Sequence, residues 1–432
     1  MTPTPPPGPD RPKQAARKRW RAADLRGAAR LATQATMGVT RIVEGVHRSV
    51  LGTLGLPGAA APGRTRGITG MVYRSIQGVT LGVDAALQAA LRRLEPWLER
   101  AQGAPDESAE AERDAVLAAL NGVLGDRLAA DDNPLALPMA LRQHGRALEL
   151  AALHAQGAAT GRVLLLIHGL CMNDRQWLRS GHDHGAHLAR TLGYTPVYLR
   201  YNTGLHISVN GRALAQHLEA LLASWPVPVQ ELGILAHSMG GLVARSAVWH
   251  ATQTGQRWPA QLRHLIFLGT PHHGAPLARA GPWVDLLLAS TPYSRPFTRL
   301  GHLRSAGISD LRYGHVLDAD WQGRDRLARS PDTRTPVPLP DGVACHAVAA
   351  TLAAQRSPLA ERLVGDGLVP LRSALGAHDN PARCLAFAPP DQYVVAQRGH
   401  LDLLSDAAVA RQLVRWLTPP GERDPATATA ER

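Results

Sequence analysis

Two rhythms divide the apolar positions of this chain. From Leu25 they fall at Ala28, Leu31, Ala32, Ala35, Val39, Ile42, Val43, Val46, Val50 and Leu54, the three-and-four spacing of an amphipathic helix. After a Gly/Pro/Ala linker at 57–67, a second such pattern runs through Ile68, Met71, Val72, Ile76, Val79, Val83, Leu87, Leu91 and Leu94. Residues 107–130 make a third helix candidate. The rhythm changes at Gly161. Short apolar runs now appear at 162–167, 195–200, 232–236, 264–269, 343–348 and 383–387. Helical patterns at 174–192, 209–223, 240–254 and 403–417 separate most of them. Continuous apolar strands alternating with helices predict a mostly parallel sheet covered on both faces, an α/β fold. The long gap at 275–340 reads as an excursion from the sheet, a cap or lid, with a short amphipathic helix beginning at Trp283. The expected organisation is a disordered basic arm at 1–22, a helical region at 23–155, an α/β domain at 156–418 and a disordered tail at 419–432.

Charge adds one feature. The chain has 432 residues and a formal charge of +12, with Lys13 and Lys18 its only lysines. An arginine-rich surface suits an acidic partner. The leading expectation is a solvated basic surface and core-facing N-terminal helices. Because the first helix is basic and amphipathic, peripheral association with anionic membrane through the N-terminal helices is the alternative. No nucleic-acid partner is expected. The three cysteines, Cys171, Cys345 and Cys384, match no metal spacing. They read as reduced thiols of a cytoplasmic protein, with Cys345 and Cys384, on expected neighbouring strands, able to pair in an oxidising compartment. The first residues do not read as a secretory signal. No apolar run reaches the roughly 18–20 residues of a membrane span.

The chemistry centres on Ile234–Leu–Ala–His–Ser238–Met–Gly–Gly–Leu–Val243. A strand, a sharp turn at serine and a helix are implied, with small residues two before and two after the serine. That is the steric requirement of a nucleophile elbow, although Ala236 stands where glycine is usual. Serine needs a base, an orienting acid and oxyanion donors. His400 follows the last strand and is the candidate base. Asp366, between two glycines after the fifth strand, is the candidate acid, with Asp402 and Asp341 as competitors. Asp402 suits an N-cap of the final helix. Asp310 and Asp318, in the excursion, read as surface or cap residues. The backbone N–H groups of Leu170 and Met239 are the candidate oxyanion hole. His168, His237, His272 and Trp283 are candidate pocket residues, with structural roles as the competing reading for the histidines.

His168–Gly169–Leu170, Ala236–His–Ser238–Met–Gly240, Gly269–Thr–Pro–His–His–Gly274, Gly365–Asp366–Gly–Leu–Val–Pro370 and Gly399–His400 together resemble the lipase and esterase branch of the α/β-hydrolase superfamily over about 160–417. The resemblance implies an α/β-hydrolase fold and carboxylic ester hydrolysis through an acyl-enzyme, with Ser238, His400 and Asp366 as triad and a lipid or other ester as substrate. No cofactor is implied. Some members hold a structural calcium, for which Asp402 in His–Leu–Asp is a candidate ligand. Two alternatives stand: an acyltransferase with the same nucleophile, and a membrane- or granule-surface lipid-binding protein that uses the domain as scaffold.

Overall fold

A computed structural model describes residues 21, 23–37, 71, 75, 77–89, 92, 107–274, 305–324, 332–353 and 365–419. The chain divides into two compact units, Met1–Asp114 and Ala115–Arg432.

In the first unit, helices α1 (23–37) and α2 (77–89) are tied side to side. Thr33 donates its hydroxyl to Asp84 at 3.2 Å, and the Gln88 amide donates to the Arg26 carbonyl at 2.9 Å. Asp24 is buried at the start of α1 and takes both ends of the Arg113 guanidinium at 2.5 and 2.6 Å. On α2, Val79, Val83 and Leu87 are exposed at four-residue spacing, with Met71 exposed upstream.

The second unit is built on an eight-stranded sheet. Its strands are β1 (Ala140–Gln143), β2 (Arg146–Ala147), β3 (Arg162–Ile167), β4 (Thr195–Arg200), β5 (Glu231–His237), β6 (Leu262–Leu268), β7 (Ala344–Thr351) and β8 (Gln392–Ala396). The spatial order is β2-β1-β4-β3-β5-β6-β7-β8, antiparallel at the β1 edge and parallel from β4 to β8. The helices are α3 (Glu107–Ala130), which begins in the first unit, α4 (Leu150–Ala155), α5 (His184–Leu192), α6 (Ile207–Ala223), α7 (Met239–Gln253) and a last helix, Ala407–Leu417. α6 packs on α7, and α5 on the last helix. Each pair covers one face, so β3 is apolar on both: Val163 to Ile167 are fully buried. Local chemistry sets the helix ends. Asp183 caps α5 by accepting from the Ala186 N–H at 2.8 Å, and Gly193 closes it in the left-handed region.

The sheet reverses its winding at β3. The chain passes from β3 to β4 on one side and then crosses to β5 on the other. Loops leaving the C-terminal ends of β3 and β5 therefore diverge, and the crevice between them is where such folds bind ligands.

Three expectations change. The region before residue 156 is not all helical, because β1 and β2 form a hairpin that starts the sheet. Its turn, His144–Gly145, has positive φ at both residues (50° and 70°), as a two-residue hairpin requires. β1 is short, half-buried and polar, so it lacks the apolar run that betrays a central strand. The sixth strand is Gln392–Ala396, not 383–387. Leu385 and Phe387 are buried and alternate with exposed neighbours as a strand's would. The edge of β7 is instead taken by the segment after Pro389–Pro390, where Ala347 pairs with Gln392 and Thr351 with Ala396. Cys384 is thus on no strand; it is an exposed free thiol, and Cys345 is a buried one. Of the two roles read for Asp310, surface or cap, the structure shows the cap. Asp310 is buried and accepts from Ile207 N at the start of α6 and from the His206 ring, both at 2.9 Å, so it caps that helix from another element.

Candidate active site

Ser238 ends β5 and caps α7 with φ 54° and ψ −123°, a conformation that costs a side-chain-bearing residue energy. The surroundings impose it. Its N–H donates to the Leu268 carbonyl at 2.8 Å. A Cβ on Gly240 would lie 2.5 Å from the Ile167 carbonyl oxygen, and one on Gly241 would lie 2.1 Å from Thr270 Oγ1. Glycine is therefore required at both positions for α7 to leave so close to β3 and the turn after β6. The Ala236 methyl is fully buried and accommodated. The serine is left at the N-terminus of α7, where the helix dipole favours negative charge.

The turn after β3 lies against this serine. A Cβ on Gly169 would come within 3.0 Å of Ser238 Cβ. The turn closes with Met172 N–H donating to the Gly169 carbonyl at 3.3 Å, and Cys171 sits in it at φ 60°. Thr203 Oγ1 accepts from the Cys171 N–H at 3.2 Å. Behind it stands α3: Cys171 Sγ donates to the Ala119 carbonyl at 3.8 Å, and a Cβ on Gly122 would fall 2.2 Å from that sulfur. Among the described residues, neither the Leu170 nor the Met239 N–H has an acceptor.

Asp366 and His400 arrive from the next two strands. Glycines with φ 47° and 90° flank Asp366, and the Gly365 carbonyl accepts from Leu352 N–H just past β7 at 2.8 Å. Asp366 Oδ1 accepts from the Leu368 and Val369 N–H groups at 2.9 and 2.7 Å, which leaves Oδ2 for the His400 Nδ1–H at 2.6 Å. Both side chains are buried. With its proton on Nδ1, the His400 ring presents an unprotonated Nε2, which is buried and has no partner among the described residues. The ring rests on Gly269, where a Cβ would meet Nδ1 at 3.1 Å. Ser238, the Leu170 turn, Asp366 and His400 thus gather at the C-terminal edge of β3, β5, β7 and β8.

The other candidates divide. His168 stacks on Tyr201 at 4.6 Å, and the Tyr201 hydroxyl donates to the His168 carbonyl at 2.8 Å. Burial pushes His168 down to about 4, so it is a neutral prop of the turn. His237, also held neutral by burial and by the neighbouring His400, donates Nε2–H to the His400 carbonyl at 3.2 Å and supports that residue from below. His272 is buried against Phe267 and lines a different cavity, which includes none of Ser238, Asp366 and His400. Trp283 lies outside the described residues. Asp402 is not the cap of the last helix; that is Asp406, which accepts from the Ala408 and Val409 N–H groups. Asp402 accepts instead from Gly399 N–H at 2.9 Å, next to His400. Among the described residues no group of three or more His, Cys, Asp or Glu side chains is arranged to hold a metal. Asp341 is exposed in a turn. Of the excursion, the helix Ala306–Tyr313 reaches the site: a Cβ on Gly307 would lie 2.9 Å from Met239 Cε. Tyr201, Thr203 and Gly122 were not singled out in the sequence. Each supports the turn through a partner remote in the chain.

A domain-of-unknown-function family model, DUF7379, matches residues 138–310. No curated protein matches the chain. Among solved structures it is similar to the mature lipase BlEst2 of Bacillus licheniformis (16% identity, TM-score 0.36, covering 59% of this chain and 90% of that one). It is similar also to the Pyrococcus furiosus esterase Pf2001 (11%, 0.34, 60% and 81%). A third is RedJ, a thioesterase of the prodiginine biosynthetic pathway in Streptomyces coelicolor (13%, 0.33, 60% and 88%). The fold is established by the chain's own topology rather than by these likenesses. A parallel sheet with one antiparallel edge, a winding reversal at β3 and a strained serine turn between β5 and α7 make this an α/β-hydrolase fold.

Proposed function

We propose that this chain is a serine hydrolase that cleaves carboxylic esters, including lipid esters, through an acyl-enzyme. The observation that carries the reading is the buried Asp366–His400 pair at 2.6 Å, with His400 Nε2 left unpartnered beside the strained serine turn. Ser238 Oγ attacks the ester carbonyl carbon while His400 Nε2 takes its proton. Asp366 holds the ring in that tautomer and stabilises the imidazolium. The Leu170 and Met239 N–H groups receive the oxyanion. Collapse breaks the acyl C–O bond, and the alcohol leaves with the proton from His400. Water then repeats the attack, returning acid and free Ser238.

The test is Ser238→Ala. It should abolish turnover of an activated ester and labelling by a fluorophosphonate, with folding intact by circular dichroism. Full activity in that variant defeats the proposal. Adding alcohol acceptors to the wild-type enzyme measures whether the acyl group passes to water or to an alcohol, which separates hydrolase from acyltransferase. Attachment to anionic membrane is a second element of the proposal, supported by the exposed apolar stripe Val79, Val83 and Leu87 on α2.

A further inference from the structure

Behind the first two turns of α7 lies a cavity of about 240 Å³, lined among others by Arg245, His272, His273, Arg334, Val337 and Arg383. Its charge is unbalanced in a specific way. Arg334 and Arg383 both grip Asp332, Arg334 with two bonds of 2.8 Å. Arg245 has no such partner. It is 6% exposed, its Nη2 donates to the Val337 carbonyl at 2.6 Å, and its buried Nε has no acceptor among the described residues. Asp320 acts on it electrostatically, but the Asp320 carboxylate is occupied by the backbone N–H groups of Val316, Leu317 and Thr335 at 2.9–3.0 Å. His272 is 1% exposed, and neither of its ring nitrogens has a partner among the described residues. Burial and the neighbouring Arg334 bring Arg245 down to about 10, which leaves it charged at neutral pH.

A buried guanidinium without a hydrogen-bonded carboxylate is unfavourable, as is a buried imidazole with both nitrogens idle. One ligand answers both. We propose that this cavity binds a phosphate-type oxyanion, held by Arg245 and His272, with Arg334 and His273 as its walls. Guanidinium and imidazole N–H groups are donors suited to phosphate oxygens. The three arginines face two carboxylates, Asp332 and Asp320, so a singly charged oxyanion neutralises the cavity. The inference does not rest on the esterase reading, since the lining excludes Ser238, Asp366 and His400.

Calorimetric titration of the full chain with inorganic phosphate, at ionic strength held constant with chloride, tests it. Saturable one-to-one binding is expected, with a melting point about 5 °C higher at a hundredfold excess over Kd. Arg245→Met should weaken binding at least tenfold while leaving the anion-free melting point unchanged or higher. His272→Phe should weaken it independently. Ser238→Ala should bind phosphate as the wild type does. Glycerol 3-phosphate binding tighter than inorganic phosphate would mark a phosphate ester as the occupant, and the reverse order the free anion. Absence of saturable binding, equal affinity in wild type and both variants, or an equal response to acetate would overturn the proposal.

Discussion

Ser238 is held where glycine would be more comfortable, and the cost can be isolated. At φ 54° and ψ −123° a side-chain-bearing residue stores about 1–3 kcal/mol. Glycine relieves that strain but loses about 0.5–1 kcal/mol in extra unfolded-state entropy. The net gain for Ser238→Gly is therefore about 0.5–2 kcal/mol. Ser238→Ala keeps the Cβ and gains nothing from the turn. Both variants lack the hydroxyl, so they differ in the backbone strain and in the glycine entropy already subtracted. Urea denaturation followed by tryptophan fluorescence should rank Ser238→Gly above Ser238→Ala, with a melting point about 1–4 °C higher. If Ser238→Gly is equal to or less stable than Ser238→Ala, the turn is not strained and the account of why Gly240 and Gly241 are needed there fails.

Other consequences follow from the same geometry. Asp366→Asn should retain the fold and lower kcat by about 10²–10⁴ on an activated ester, since it favours the wrong tautomer of His400; an unchanged kcat would remove Asp366 from the site. Gly122→Ala should push Cys171 and slow turnover, and adding Cys171→Ala should restore part of it, with a coupling of about 0.5–3 kcal/mol in stability; strict additivity would mean that α3 does not back the turn. Burial holds His168, His184 and His273 down to about 4 and holds His237 and His272 well below the ordinary imidazole value. As pH falls through about 6.5 the unfolded chain takes protons that these residues refuse, so stability falls with a slope that approaches about 1.4 kcal/mol per pH unit for each once the unfolded imidazole is fully protonated. Denaturation midpoints at pH 7.5 and 5.5 measure this, and equal midpoints would refute it. The full chain should float with phosphatidylglycerol vesicles at low salt, and Val83→Asp should reduce that flotation; identical behaviour of the two would exclude the α2 stripe.

What could be read along the chain was whatever is encoded locally. The apolar runs of β3 to β7 mark strands buried on both faces, and small residues around Ser238 mark a turn that tolerates little else. The positions of Asp366 and His400 after successive strands could be inferred because parallel strands deliver their C-terminal ends to one edge. What eluded that reading depends on partners far away in sequence. Gln392–Ala396 is a strand because β7 offers it an edge, while the equally strand-like 384–387 has none. β1 exists by pairing with β4. Asp310 is a helix cap only because the excursion brings it to Ile207, and the second half of α3 supports the Leu170 turn only because Gly122 lets it approach Cys171. The histidines show the limit most clearly. His168, His237, His272 and His400 sit in similar motif surroundings, yet one pairs with a buried carboxylate, two prop the backbone and one faces a cavity with Arg245. Packing and desolvation chose among them, and those arise only when the chain is folded.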